Sequence, residues 1–267
     1  MPVLDEHSFR HLYKNDRSKL LPAVLCNLFA SSLVFWHKSD KLDIHPPPDK
    51  RYVWNLAVKS LDEDFLRPGL TTICAALLDL GGRPNTSIQG NAITNGRTVS
   101  LAHSLGLNRD PNGWVLPEVE KRFRIRIWWL ILIHDTWSSM CYGTPPHIRL
   151  DQHDVPLPDS SGAPDDDDEL ACFVNLCTLT EILNQILSSV YKLSSTGTRH
   201  SPLELFQHEH KLTMWLRDLS PALGIDPVGE SKWIGGPSLH LSYLAVELLL
   251  RRLNLDVSSS PLVQQCS

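Results

Sequence analysis

The sequence predicts an all-α fold: a multi-helix body in two unequal helical lobes, with no significant sheet. Three observations carry this reading. Apolar residues recur at helical spacing through most segments between Leu20 and Asn254. Clusters of Pro and Gly cut those segments at His45-Pro46-Pro47-Pro48, Gly81-Gly82-Arg83-Pro84 and Gly143-Thr144-Pro145-Pro146. No strand-turn-strand signature and no repeat of fixed period interrupts the pattern.

Leu20 to Trp36 is apolar on most sides and reads as a buried helix. Tyr52 to Leu66 follows the triple proline and ends at Arg67-Pro68-Gly69. Leu70 to Leu80 is a further helix, stopped by Gly81-Gly82-Arg83-Pro84. Asn91 to Leu105 places Ile93, Gly96/Arg97, Ser100/Leu101 and Ser104/Leu105 on adjacent stripes, with Gly106 as its stop. Pro117-Glu118 opens the next helix, with acids at its positive end. Arg122 to Ile127 alternates polar and apolar residues, a strand pattern in isolation. The apolar stretch nevertheless continues to Cys141 and meets Gly143 where a helix would cap, too long for an ordinary strand.

Leu150 to Glu169 is a Pro- and Asp-rich connector. Its acids precede a helix over Leu170 to Leu193 and complement that helix's dipole. Ser194 to Thr198 reads as a loop. Ser201-Pro202-Leu203-Glu204 is a capped helix start, Ser220-Pro221 ends that helix, and a last helix spans about Pro237 to Asn254. The expected organisation is an N-terminal lobe over 1–158, a connector over 159–169, a C-terminal lobe over 170–256 and a frayed tail over 257–267.

Composition bounds the function. The 267 residues carry a net charge of −5 with 42% hydrophobic and 21% charged residues, an ordinary globular balance. Nucleic-acid readers are usually basic, and here Lys121 to Arg126 is the one dense basic patch, so direct DNA binding by these residues is not expected. No uninterrupted apolar run approaches the ~20 residues of a membrane span, and the N-terminus lacks a secretory pattern. Neither a membrane partner nor secretion is expected. The six cysteines are Cys26, Cys74, Cys141, Cys172, Cys177 and Cys266. Five stand in apolar, helix-like surroundings, none forms a Cys-x-x-Cys pair, and reduced thiols without a metal site are expected.

The densest information lies between Gly96 and Pro158. A small-residue helix ends in Leu105-Gly106-Leu107-Asn108-Arg109-Asp110. A basic and aromatic helix follows, centred on Arg124, Arg126, Trp128 and Trp129, with Asp135 further along. It stops at Gly143-Thr144-Pro145-Pro146 and leads into Asp154-Val155-Pro156-Leu157-Pro158. On the residues alone, Leu105 to Pro111 is a helix stop, a turn and an Arg109–Asp110 polar corner. Trp128 and Trp129 are core filler, and a buried Asp135 needs a partner such as one of the arginines.

In this order the motifs resemble the middle homology region of fungal zinc-cluster transcription factors, across roughly Leu20 to Leu255. The resemblance makes Gly106, Arg109, Asp110, Arg124, Trp128, Trp129, Asp135, Gly143, Pro145 and Pro146 structural signature residues. Asn108 stands where His is usual, and Thr144 where the family has Arg, so no role of that Arg carries over. The resemblance implies a nuclear regulatory domain that modulates transcription by RNA polymerase II. It also implies contact with the transcription machinery or a small-molecule effector. DNA contact, and zinc as cofactor, would belong to a six-cysteine cluster, whose spacing is absent from this sequence; no other cofactor is expected.

Two rival classes remain at this level. Asp165-Asp166-Asp167-Asp168-Glu169 could hold magnesium and a diphosphate in an all-α, terpenoid-synthase-like enzyme. The run follows a Ser/Gly/Pro loop and no second metal motif accompanies it, so a solvated loop is expected instead. A purely structural helical scaffold is the other class. His200, His208 and His210 read as surface or partly buried imidazoles. No P-loop, nucleophile elbow, dinucleotide fingerprint or His-Glu-x-x-His occurs, and an enzyme is not expected.

Overall fold

The computed structural model describes residues 3–4, 6–83, 87–158, 168–192, 201–219 and 235–258, with the side chains of 7, 8, 168, 169 and 256–258 outside that description. Among the described residues the regular elements are helices and no strand occurs: α1 (Glu6–Asn15), α2 (Pro22–Ser32), α3 (Lys50–Asp64), α4 (Leu70–Gly82), α5 (Ile88–Ser104), α6 (Glu118–Tyr142), α7 (Asp168–Val190), α8 (Pro202–Asp218) and α9 (Gly236–Ser258). Short 3-10 turns add Arg17–Lys19, Leu33–Lys38 and Leu150–Gln152. The all-α expectation holds.

The chain divides into two compact units. One contains residues 1–135 and 153–156, the other 136–152 and 157–267. The division falls inside α6, between Asp135 and Thr136.

In the first unit, local side chains set the helix starts. The Asp49 carboxylate accepts from the backbone N–H groups of Arg51 and Tyr52 and caps α3. The Thr72 hydroxyl accepts from Gly69 N–H at the start of α4. Ser87 Oγ accepts from Gly90 N–H at the start of α5. Helix α2 packs on α3 and α4 through small residues. Ala23, Val24, Leu61, Ala75 and Ala76 form a buried cluster, and small side chains let the helix axes approach closely.

One expectation for this unit needs correction. Leu20 to Trp36 is not one buried helix: α2 ends at Ser32 and a 3-10 turn follows, with Phe29, Val34 and Phe35 exposed. The cause is that only one narrow face of α2, Ala23, Val24, Asn27 and Ala30, is buried. Helix α4 stops at Gly82, within the predicted Gly81-Gly82-Arg83-Pro84 stop, and Arg83 reaches back to Asp79 with two hydrogen bonds of 2.9 and 2.6 Å. In α5 the apolar Ile93 is exposed, and the buried face is polar and small: Asn91, Asn95, Thr98, Val99 and Ala102. Helical propensity located α5, but hydrogen-bonded side chains decided which face is inside. Helix α1 carries no expectation from the sequence.

The second unit is built around α7. Leu179, Leu183 and Ile186 are fully buried and meet Leu205 and Leu212 of α8 and Leu239, Val246 and Leu250 of α9. Ser201 and Glu204 form a reciprocal capping box at the start of α8, as the sequence predicts. Trp215 stacks on Tyr243 at 6.1 Å and donates its indole N–H to Thr178 Oγ1. Leu170–Val190 is, by length and a mean hydropathy of 1.5, apolar enough to cross a membrane, a feature hidden from a search for unbroken apolar runs. Half of that window is buried inside the protein, as befits the central helix of the unit.

Cysteine surroundings also differ in one place. Cys74, Cys172 and Cys177 are buried, and burial pushes the Cys74 thiol up to about 12. Cys141, by contrast, is exposed on the last turn of α6. None of the five described cysteines is in a disulfide, and Cys266 lies outside the described residues.

Candidate functional site

Residues far apart in the chain meet at the family-like motif of the first unit. Helix α5 ends in a Schellman turn: Gly106 has φ +68°, its N–H donates to His103 O, and Leu107 N–H donates to Ala102 O. The buried Leu107 side chain anchors the turn. A Cβ at Gly106 would also stand 3.5 Å from the Trp114 ring.

The turn then reaches the segment that follows α6. Arg109 presents its guanidinium edge to Asp154, with Nε 3.2 and 3.1 Å from the two carboxylate oxygens and Nη2 3.0 Å from Oδ2. Asp110 N–H donates to Asp154 Oδ1 at 2.7 Å, and Asp154 N–H donates back to Asn108 O. The expected Arg109–Asp110 corner is therefore corrected. Arg109 pairs with Asp154, while the Asp110 carboxylate accepts from Asn112 N–H. The Asp110 N–H, and then Arg109, hold the Asp154 carboxyl below the usual carboxylate value. The pair is surface-exposed, so its worth is positional more than energetic.

Helix α6 supplies the interior. Arg124 pairs with Glu120 one turn back, approaches Leu105 O, and lies 5.5 Å over the Trp114 ring. Trp128 and Trp129 are 0% and 1% exposed. The Trp129 indole N–H donates to Pro156 O at 2.7 Å. His153 lies against both indoles, at 5.4 Å from Trp128 and 5.9 Å edge-on to Trp129, and His103 lies 5.6 Å from Trp128 on another side. Asp135 is buried and accepts from Asn95 Nδ2 at 2.7 Å, so its neutral amide partner comes from the polar face of α5.

Trp128 Nε1, both His153 nitrogens and His103 Nε2 are buried without hydrogen-bond partners. Burial lowers the His153 pKa from its ordinary 6.5, against the opposing pull of Asp154. Neutral rings packed face and edge on indoles are what such a pocket tolerates. The arrangement shapes and fixes a buried aromatic cluster.

The remaining signature residues lie in the second unit. Gly143 has φ +70°, and both Gly143 N–H and Thr144 N–H donate to Ser139 O, a second Schellman turn. Ser139 Oγ donates to Thr144 O. Pro145 is exposed and Pro146 half-buried, and they lead to the buried Ile148, whose carbonyl accepts from Asn184 Nδ2. The structure thus brings Gly106, Arg109, Asp110, Arg124, Trp128, Trp129 and Asp135 into one unit. Gly143, Pro145 and Pro146 form a separate corner.

Sequence reasoning did not single out His103, Trp114 or His153, and it named Asp154 only as the first residue of the Val-Pro exit. The signal was present: an imidazole and a carboxylate directly precede the Val-Pro exit. Of the proposed magnesium run, Asp165 to Asp167 lie outside the described residues, and Asp168 and Glu169 open α7 with undescribed side chains. His200 also lies outside them, while His208 is half-buried and His210 exposed on α8. Among the described residues no group of three or more His, Cys, Asp or Glu could hold a metal ion.

Residues 1–223 match the family model described as the fungal specific transcription factor domain. An uncharacterized transcriptional regulatory protein of Schizosaccharomyces pombe is 30% identical over 255 residues, covering 93% of this chain and 38% of its own length. The transcriptional activator protein DAL81 of Saccharomyces cerevisiae is 24% identical over 308 residues, with 94% and 31% covered. The acetamidase regulatory protein of Aspergillus fumigatus is 26% identical over 263 residues, with 94% and 32% covered. The chain thus spans about a third of these relatives' length. No solved structure matches. The turn at Gly106, the paired indoles of α6 and the match over most of the chain agree: the chain belongs to the fungal specific transcription factor domain family.

Proposed function

We propose that these residues form the regulatory body of a nuclear transcription factor that tunes transcription by RNA polymerase II. The supporting observation is the family match over residues 1–223, together with a signature whose most distinctive side chains, Trp128 and Trp129, are buried packing groups. In this reading the domain is not catalytic. It shifts between arrangements of differing activity when an effector or a component of the transcription machinery binds one arrangement more tightly. Zinc and DNA contact belong to a six-cysteine cluster, a spacing these 267 residues do not contain. Names such as transcriptional activator and acetamidase regulatory protein among the relatives favour control of metabolic genes.

A tethered reporter tests this reading. The chain is placed between a heterologous DNA-binding domain and an activation segment, and output is compared with a fusion carrying a flexible spacer instead. A change of several fold in either direction at equal protein level is expected. Output indistinguishable from the spacer overturns the reading.

A further inference from the structure

The first unit holds a cavity of about 610 Å³, inside the range of small-molecule sites. Ala30, Trp54, Leu77, Leu130 and Ile133 line it, from α2, α3, α4 and α6. The wall has a built shape. Gly82 stands in the last turn of α4, where glycine weakens a helix, and a Cβ there would fall 2.3 Å from the Trp54 indole. The bare glycine lets the indole lie against α4. Arg83 then lies 5.6 Å over the same ring while Asp79 holds its guanidinium. Trp54 is thereby clamped as a flat apolar wall.

The polar lining is one-signed. Lys50 and His134 line the cavity together with the Ser31 hydroxyl, and among the described residues no carboxylate does, in a chain of net charge −5. Lys50 is exposed and, among the described residues, holds no carboxylate partner. Ser31 Oγ is already committed to Leu78 O. His134 Nε2 is buried without a hydrogen-bond partner. Burial favours its neutral ring, which leaves Lys50 as the cavity's positive charge. An apolar trough with an ammonium at its edge selects an amphipathic anion over a neutral or cationic molecule of equal size.

We infer that this cavity is the effector site of the regulatory domain and takes a small monocarboxylate. Its apolar body lies along Trp54 and Ile133, and its carboxylate meets Lys50. This inference rests on the regulatory reading above and assigns that reading a site and a ligand class.

The test is calorimetric titration of the full chain with octanoate, decanoate and phenylbutyrate, each against its uncharged amide. Saturable binding of at least one acid is expected, with its amide weaker by about tenfold, the scale of a charge-assisted contact. Lys50→Met changes an exposed side chain and leaves the fold intact by circular dichroism. It lowers acid affinity by about fivefold to tenfold and leaves amide affinity unchanged. Val34→Trp, at an exposed lining position, weakens acid and amide together. Absence of saturable binding by every acid, equal affinity for acid and amide, or indifference to Lys50→Met each overturns the site. Failure here with a responsive tethered reporter removes the site and keeps the regulatory reading. Binding with an unresponsive reporter keeps the site and removes that reading.

Discussion

The Trp129 indole donates to the Pro156 carbonyl at 2.7 Å, joining the middle of α6 to a segment 27 residues further along the chain. Its neighbour Trp128 is equally buried, yet its Nε1 has no partner. Two adjacent and chemically identical side chains therefore contribute differently. Trp129 binds by shape and by a hydrogen bond, Trp128 by shape alone.

Phenylalanine at each position separates the two contributions. Trp129→Phe leaves the Pro156 carbonyl unpaired as well as creating a void, for a cost of about 3 kcal/mol. Trp128→Phe creates a similar void but removes an orphaned donor, so its cost falls lower by about 1 kcal/mol or more. Urea unfolding of the two variants checks the order. Equal destabilisation contradicts the assignment.

The turn that ends α5 depends on a left-handed residue. Gly106→Ala, at φ +68°, is expected to lose about 1–2 kcal/mol, the cost of placing a Cβ in that conformation. Gly113→Ala is the control: a Cβ there meets nothing within 4 Å, and the change should stay within about 0.5 kcal/mol. Thermal unfolding of both measures the difference.

Asp154 titrates below its ordinary 3.8, because Asp110 N–H and Arg109 favour the carboxylate. A depressed acid pKa adds stability that is present above the unfolded value and is lost as pH falls through the lower folded value. Asp154→Asn is therefore expected to lower stability at neutral pH slightly and to flatten the decline at acid pH below 3.8. Arg109→Lys keeps the charge but loses the paired Nε and Nη2 geometry. Acid titration of the three proteins by circular dichroism reads both effects.

Histidine burial predicts a second pH dependence, at milder acidity. His153 and His134 both titrate below 6.5, chiefly because burial disfavours the charged ring, with Asp154 and Asp135 respectively opposing. The unfolded chain thus binds protons first, and stability drops as pH falls from 6.5 towards the lower folded values. His153→Phe keeps the aromatic contact with both indoles and removes one titrating ring. Urea midpoints at about pH 7.5 and about pH 5.5, on either side of the free imidazole value, should differ less in the variant than in the parent. An undiminished difference places the effect elsewhere.

Much of this architecture is legible in the sequence, and what escaped has identifiable causes. Proline, glycine and capping residues marked α3, α6, α8 and α9 because these signals act within one or two turns of backbone. Burial of Trp128 and Trp129 followed from their place inside an apolar run. The polar interior of α5 did not, because Asn95 earns its place by bonding to Asp135, 40 residues away. Gly82 was legible as part of a helix stop, but nothing local announces the Trp54 ring beside it. The Arg109–Asp154 pair was hidden by a separation of 45 residues, whereas Asp110 stood next door. Local chemistry was readable, and partnerships across the chain were not.

The central claim is that Trp128 and Trp129 are interior supports of a helical regulatory body. Fluorine NMR of the chain labelled with 5-fluorotryptophan tests it most directly, with the two resonances assigned by the single phenylalanine variants. The account predicts that neither resonance moves when water is exchanged for deuterium oxide. A solvent shift at both, equal to that of an exposed indole, contradicts it.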